Sequence, residues 1–112
     1  MSRKRQPLPG TKVRGSATGR PIMAALDLFG RRWTLRVLWE LRDGELGFRA
    51  LQARCDGMSS SVLRQRLVEL EAAGLVERHG TAYALTHLGR DAEHALRPLD
   101  RWARRWAAQQ PP

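Results

Sequence analysis

The chain has 112 residues, the size of a single domain, and its 20 Lys and Arg against 11 Asp and Glu give a formal net charge of +9. So basic a balance favours a polyanionic partner, either nucleic acid or an anionic membrane face. No apolar run reaches the roughly 18–20 residues of a membrane span, no apolar signal region precedes residue 20, and the single cysteine excludes an intrachain disulfide, so we expect a cytoplasmic protein with no membrane partner.

Residues 1–20 combine six basic side chains with no acidic one, and Pro and Gly interrupt any periodicity. We therefore predict a flexible basic N-terminal arm over 1–20, an ordered domain over 21–108 and a frayed tail over 109–112. The arm has two interpretations: a solubilising extension, or a segment that lies along DNA phosphates or in a minor groove.

The first half of the ordered domain predicts two helices and a short strand. Pro21 suits a first helical position, and Gly30 ends a helix in which Ile22, Ala25, Leu26 and Phe29 share one face. A second helix is predicted from about Thr34 to Arg42, followed by a turn and a very short strand over 45–47. Three aromatic side chains are predicted to lie in the core: Trp33, Trp39 and Phe48.

The second half predicts a short third helix, a longer fourth helix, a hairpin and a long last helix. A third helix begins at Phe48, and a fourth covers about 59–73, with Leu63, Leu67 and Leu70 facing the core. Two alternating stretches around Gly80 predict a tight hairpin. The last helix, capped by Thr86, reaches about Ala107, and Pro98 should kink it or weaken one turn. This order predicts a mainly α fold with a small β-hairpin: a winged helix-turn-helix with a long C-terminal dimerisation helix.

The same residues resemble the HxlR-type regulators, over about residues 20–106. The resemblance lies in colinear stretches: Pro21…Ala25-Leu26-Asp27-Leu28-Phe29-Gly30-Arg31-Arg32-Trp33-Thr34, then Gly44…Phe48…Leu51, Met58-Ser59…Val62-Leu63…Gln65-Arg66-Leu67…Leu70-Glu71…Gly74-Leu75-Val76…Arg78, Tyr83…Leu85-Thr86…Leu88-Gly89 and Trp102. It implies a winged-helix transcriptional regulator that binds double-stranded DNA as a homodimer, and it leaves open whether a small-molecule effector also binds.

Three departures from the family pattern bear on function. Arg20 stands where many members have a sensing cysteine, which puts thiol sensing in doubt. The hairpin is several residues shorter than usual and lacks the Pro-containing wing, which puts wing contacts to DNA in doubt. Gly47 stands where a basic residue commonly precedes the Phe.

The fourth helix supplies the predicted DNA-reading residues. Its N-terminal outward positions hold Ser60, Ser61, Arg64 and Gln65, and a recognition helix presents that part to the major groove. Arg pairs with guanine O6 and N7, and Gln with adenine N6 and N7, while Ser hydroxyls suit phosphates. Arg66 lies closer to the buried side, so a phosphate contact or an intramolecular ion pair suits it better than a base.

Two further groups complete the predicted sites. At the hairpin tip, Arg78, His79 and Thr81 could touch phosphate or the minor groove, or simply form a structural turn. On the last helix, Leu99, Trp102 and Trp106 extend past the small domain, and we predict that they form a dimer seam with the first helix. A ligand pocket between these helices is the alternative.

Nothing in the sequence favours catalysis or a cofactor. It has no Gly-rich phosphate loop, no paired carboxylates and no nucleophile with an evident base, and its three histidines lack metal-binding spacing. Cys55 is predicted to be a small buried hydrophobe, with a regulatory thiol activated by Arg54 as the alternative. Two other functions stay open beside a sequence-specific regulator: an architectural, nucleoid-type DNA binder, and a winged-helix protein-interaction module.

Overall fold

A computed structural model describes residues 8, 9 and 20–111. Nearly all of the predicted arm and the last residue of the predicted tail lie outside them. The elements, in chain order, are α1 Pro21–Phe29, α2 Thr34–Glu40, β1 Leu46–Gly47, α3 Phe48–Arg54, α4 Ser60–Ala72, β2 Val76–His79, β3 Ala82–Leu85 and α5 His87–Ala108. The prediction of a mainly helical fold with one small hairpin is confirmed.

Local sequence signals set most helix boundaries. Pro21 occupies the first turn of α1, where its missing N–H costs nothing. The Ser59 hydroxyl accepts a hydrogen bond from the Val62 N–H at 3.4 Å and caps α4. Thr86 caps α5 by accepting from the Gly89 N–H at 3.0 Å, and it also donates to the Gly74 carbonyl at 2.6 Å, which joins the start of α5 to the turn between α4 and β2.

The strands form one antiparallel sheet in the order β1-β3-β2. The hairpin pairs Val76 with Leu85 at one end and His79 with Ala82 at the other, so only Gly80 and Thr81 form the loop. Gly80 takes a φ of +63°, which a tight two-residue turn requires and glycine adopts without strain. β1 pairs Leu46 with Tyr83 and joins the segment between α2 and α3 to the hairpin.

A single core lies between the helices and the sheet. Its central residues are fully or almost fully buried: Leu28, Val37, Leu38, Leu41, Leu51, Cys55, Met58, Leu63, Leu67, Leu70, Leu75, Val76, Tyr83 and Leu85. Trp33 and Phe48 are only half-buried and pack against the edge of this core, and Trp39 is also half-buried. None of the three aromatic rings predicted to be core is therefore one of its buried residues.

Two predicted helix details need correction. α2 ends at Glu40 and not at Arg42, because Leu41 and Arg42 enter the turn that leads to β1. α1 turns Ala24 and Leu28 into the core, whereas Ile22 and Leu26, on the predicted apolar face, are 57% and 58% exposed. α1 is apolar on two sides, so periodicity alone could not tell which side packs inward.

α5 meets the core through unexpected residues. Gly89 lies so close to the backbone of Leu75 that no Cβ would fit, and Glu93 is fully buried, where Arg97 donates to it at 3.1 and 3.2 Å. The predicted stripe instead leaves Leu88 and Leu99 exposed. The helix continues through Pro98, which lies on its exposed side. No helix in the described ranges has both the length and the apolarity to cross a membrane.

Candidate nucleic-acid interface

α4 separates its buried and exposed faces cleanly. Leu63, Leu67 and Leu70 are at most 2% exposed, as the sequence predicts. The opposite side is open to solvent along the full helix and holds Ser60, Ser61, Arg64, Gln65 and Val68. The leucine contacts fix the rotation of α4 about its axis, so the polar face cannot turn inward without exposing the core.

The first turn of α4 offers hydroxyls and backbone donors together. Ser59, Ser60 and Ser61 are all exposed, and the hydroxyls of Ser59 and Ser61 lie 2.9 Å apart. The first N–H groups of a helix lack intrahelical acceptors and carry the positive end of the helix dipole. This turn therefore groups hydroxyls with the first backbone donors of α4, and the contact of its serines with phosphate stays a prediction.

Arg64 leaves α4 on the exposed side and stacks on an aromatic ring. Its guanidinium carbon lies 4.7 Å from the centre of the Phe48 ring on α3. Stacking leaves the N–H groups at the guanidinium edge available, because the ring contacts only the flat face. Phe48 thus supports an arginine that can still donate hydrogen bonds.

Gln65 and Arg66 are both tied to a residue that the sequence reading did not select, Glu69. Its carboxylate is 3% exposed and accepts from Gln65 Nε2 at 3.0 Å and from Arg66 Nη1 at 2.5 Å. Arg31 Nη1, from the turn after α1, lies 2.7 Å from it. Burial raises the pKa of Glu69, but the hydrogen bonds from Gln65 and Arg66 and the nearby arginine charges outweigh that effect, so the pKa lies below its ordinary value.

Arg66 is therefore engaged within the molecule. Besides Glu69 it donates through Nε to the Arg32 carbonyl at 2.8 Å. Of the two roles predicted for Arg66, the intramolecular ion pair is the one that its contacts match. The spacing of Gln65 and Arg66 four and three residues before Glu69 is visible in the sequence, but the burial of Glu69 is not.

The charged side chains of the hairpin are also paired. Arg78 Nε lies 3.4 Å from Glu71 and its guanidinium stacks on Tyr83. His79 bridges two carboxylates, with Nδ1 3.1 Å from Glu45 and Nε2 3.0 Å from Glu77. Hydrogen bonding to those glutamates raises the pKa of His79.

Of the predicted hairpin residues, Thr81 is exposed in the loop, and Arg78 and His79 precede it on β2. Arg78 and His79 share this region with Glu45, Glu71 and Glu77. The hairpin is therefore a weak attractor for phosphates.

The predicted seam residues lie together on the exposed side of α5. Leu99, Trp102 and Trp106 are 50%, 49% and 57% exposed, and the two indole rings stack with centroids 5.4 Å apart. Together with Ile22 and Leu26 of α1 they account for most of the large exposed apolar side chains of the described residues.

Cys55 is completely buried at the end of α3. Burial, the largest effect, raises the pKa of its thiol, and the positive charge of Arg36 offsets this only partly. The interpretation of Cys55 as a thiol activated by Arg54 is therefore wrong, since a protonated and inaccessible thiol is a poor nucleophile. Across residues 8, 9 and 20–111, no three His, Cys, Asp or Glu side chains group as metal ligands.

Comparisons with known proteins agree with this fold. The chain is 30% identical over 89 residues to the uncharacterised HTH-type transcriptional regulator YvaP of Bacillus subtilis, covering 73% of this chain and 82% of that protein. A solved structure from Thermoplasma volcanium, described as a possible HxlR family transcriptional factor, superposes with a TM-score of 0.69 at 30% identity, covering 76% of this chain and 83% of that one. The structure of quinone-bound YodB from B. subtilis superposes with a TM-score of 0.65 at 31% identity, covering 80% of this chain and 97% of that one.

The family profile described as HxlR-like helix-turn-helix matches residues 28–111, from the end of α1 past the end of α5. That span contains α4, the hairpin and the long last helix. The chain belongs to the HxlR-like helix-turn-helix family of DNA-binding transcriptional regulators.

Proposed function

We propose that this regulator binds specific DNA sequences as a homodimer, with α4 of each protomer in a major groove. The observation that carries the proposal is the outward face of α4. Its leucines lock the helix on the core, and its opposite face presents Arg64 and Gln65, two side chains able to read base edges, after a serine-rich first turn.

Within that face the residues divide by chemistry. Arg64 has its guanidinium edge available for guanine, and Gln65 reaches the same side of α4 one position later. Ser60 and Ser61, beside the first N–H groups, suit a phosphate and so fix the register of the helix on the duplex. Arg66 holds α4 to the turn after α1 and supports the interface from behind.

The hairpin takes a minor part in this proposal. Arg78 and His79 are matched by neighbouring glutamates, so contact with phosphate would have to break ion pairs already made. Thr81, at the exposed tip, remains able to donate one hydrogen bond to the backbone. The predicted arm over 1–20 adds six positive charges, and we assign it nonspecific attraction to phosphates.

A second copy of the chain is the proposed occupant of the apolar face of α1 and α5. Side chains that large and that exposed on two helices favour a partner, since burying them removes apolar area from water. Two-fold symmetry would present two copies of α4 to half-sites about one helical turn apart. One short recognition helix alone would contact too few bases to select a site.

No thiol-based sensing is part of the proposal. One relative, YodB, is described in a quinone-bound form, and another, HypR, is described as a redox regulator. This chain has one cysteine, Cys55, and its thiol is buried with a raised pKa. Any effector would have to act by another route.

The test is binding to genomic fragments, including the DNA upstream of the chain's own reading frame, with nonspecific competitor and a salt titration. We expect a pseudo-palindromic site, and Arg64→Ala should weaken binding to it by about tenfold or more while relaxing preference at one base pair per half-site. Arg90→Ala, which removes an exposed arginine from α5, is the matched control and should leave the base preference unchanged, with any loss of affinity even across DNA sequences.

The alternatives give different outcomes in the same assay. If the unmodified protein and Arg64→Ala both bind DNA tightly without base preference, the protein is an architectural DNA binder. If the unmodified protein does not bind DNA even at low salt, only the protein-interaction module remains. Either result would refute the proposal.

A further inference from the structure

The Gln65 amide is held from behind by a buried carboxylate. Gln65 Nε2 donates to Glu69 Oε2 across one helical turn at 3.0 Å. Glu69 is itself fixed, because Arg66 and Arg31 contact it at 2.5 and 2.7 Å from different elements. Arg66 is anchored in turn on the Arg32 carbonyl. The acceptor that Gln65 faces therefore does not move with the exposed surface.

The chemistry of Glu69 decides which end of the amide faces it. An ionised carboxylate only accepts hydrogen bonds, and an amide has a donating nitrogen and an accepting oxygen. Glu69 stays ionised, since its pKa lies below the ordinary value. The amide nitrogen must therefore face Glu69, and a turned amide would put two oxygens against each other.

We propose that Glu69 is a positioning residue for base recognition, which holds Gln65 so that its carbonyl oxygen is the group offered to DNA. The inference rests on the proposed function, since it assumes that α4 lies in the major groove. Within the described residues Gln65 Oε1 accepts no hydrogen bond, so it is free to accept one from a base.

The consequence is a defined atom on the DNA. An acceptor in the major groove pairs with an exocyclic amino group, adenine N6 or cytosine N4. A free glutamine could equally donate to guanine O6 or thymine O4. With Glu69 holding one N–H, the outward carbonyl oxygen favours a base that carries an amino group, and the remaining N–H can complete the contact by donating to adenine N7.

The experiment removes one exocyclic amino group from a DNA duplex that the protein has been shown to select. Gln65→Ala first locates the base pair that depends on Gln65. At that pair, purine replaces adenine, or 2-pyrimidinone replaces cytosine, so that only the amino group is lost. We expect the unmodified protein to bind the edited duplex roughly two- to tenfold more weakly. Gln65→Ala should bind both duplexes equally.

Glu69→Gln then tests the positioning role, because an uncharged amide accepts or donates and lets Gln65 turn. We define the penalty as the dissociation constant for the edited duplex divided by that for the unedited duplex. In Glu69→Gln this ratio should fall toward one. In the Gln65→Ala background, adding Glu69→Gln should not change the ratio. Arg66→Lys is the matched control: it keeps a positive charge beside Glu69 and leaves the Gln65 bond, so it should lower the thermal midpoint without changing the penalty.

Several results would overturn the inference. A full penalty retained in Glu69→Gln would make Glu69 merely structural. An unmodified protein that ignores the amino group but responds to editing of O6 or O4 would show that Gln65 donates. The comparison of amino-group editing with O6 or O4 editing needs only the unmodified protein and Gln65→Ala. It therefore tests the inference even if Glu69→Gln fails to fold. If no base pair depends on Gln65 while Arg64→Ala still relaxes one, only this inference fails; if neither matters, the proposed function fails.

Discussion

Replacing both Trp102 and Trp106 with alanine should convert the proposed dimer into a folded monomer. Both indoles are about half exposed in the single chain, so they contribute little to its core. Their mutual stacking is worth only about 0.5–1.5 kcal/mol beyond the area that they bury. The double variant should therefore keep its helical circular dichroism and most of its free energy of unfolding.

The effect on dimerisation should be large. The exposed half of one indole is about 120 Å², so four in a symmetric dimer offer about 500 Å², and transfer from water is worth up to about 12 kcal/mol at 25 cal/mol per Å². Losing even one third of that, about 4 kcal/mol, raises the dissociation constant of the dimer about a thousandfold. Leu99, Ile22 and Leu26 would remain, so we expect the variant to be monomeric at micromolar concentration and to associate only at much higher concentration.

Light scattering and sedimentation equilibrium at micromolar concentration measure the change, with operator binding as a second readout. We expect mass to fall to that of one chain and operator affinity to fall with it. Val68→Ala, which shortens an equally exposed apolar side chain on α4, is the control and should leave the mass unchanged. A folded monomer for the unmodified protein, or a double variant that stays dimeric, would refute the reasoning.

Three further predictions concern the arm, the hairpin and α5. Deleting residues 1–19 should weaken binding evenly across DNA sequences and flatten the dependence of affinity on salt; an unchanged salt slope would leave the arm a solubilising extension. Because Glu45 and Glu77 raise the pKa of His79, the stability that this contact contributes is complete below the ordinary pKa of 6.5 and is lost as pH rises through the raised value. The thermal midpoint of the unmodified protein minus that of His79→Gln should therefore be larger at pH 5.5 than at pH 8.5, and equal differences would contradict the assignment. Gly89→Ala places a Cβ against the backbone before β2 and should cost about 1–3 kcal/mol of unfolding free energy, measured in urea; an unchanged midpoint would mean that α5 shifts freely.

The parts of the fold that follow from local chemistry could be predicted from the sequence. Ser59 and Thr86 cap helices because hydroxyls satisfy the first N–H groups, and Gly80 permits the turn that sets the hairpin register. The leucine spacing of α4 fixes which side faces the core, and with it the candidate reading face. Each of these signals acts over a few residues.

Contacts between distant residues could not be predicted in this way. Glu45 lies 34 residues before His79, and their contact engages a side chain that the sequence analysis assigns to DNA or to a structural turn. Arg31 reaches Glu69 across 38 positions, so a glutamate in an apparently solvated helix position becomes a buried acceptor. The α1 face was ambiguous for a related reason: the segment is apolar on two sides, and only packing decides between them.

The arginine after α1 connects the two surfaces on which the proposed function depends. Arg31 lies 3.8 Å from Asp27 on α1 and 2.7 Å from Glu69 on α4. α1 carries Ile22 and Leu26 of the proposed seam, and Glu69 holds Gln65 on the reading face. Dissociating the dimer through α5 leaves these ion pairs intact, so the tryptophan variant should lose affinity through the missing second half-site and keep its base preference within one half-site. A change of preference in that variant would instead mean that the seam sets the geometry of α4 through Arg31.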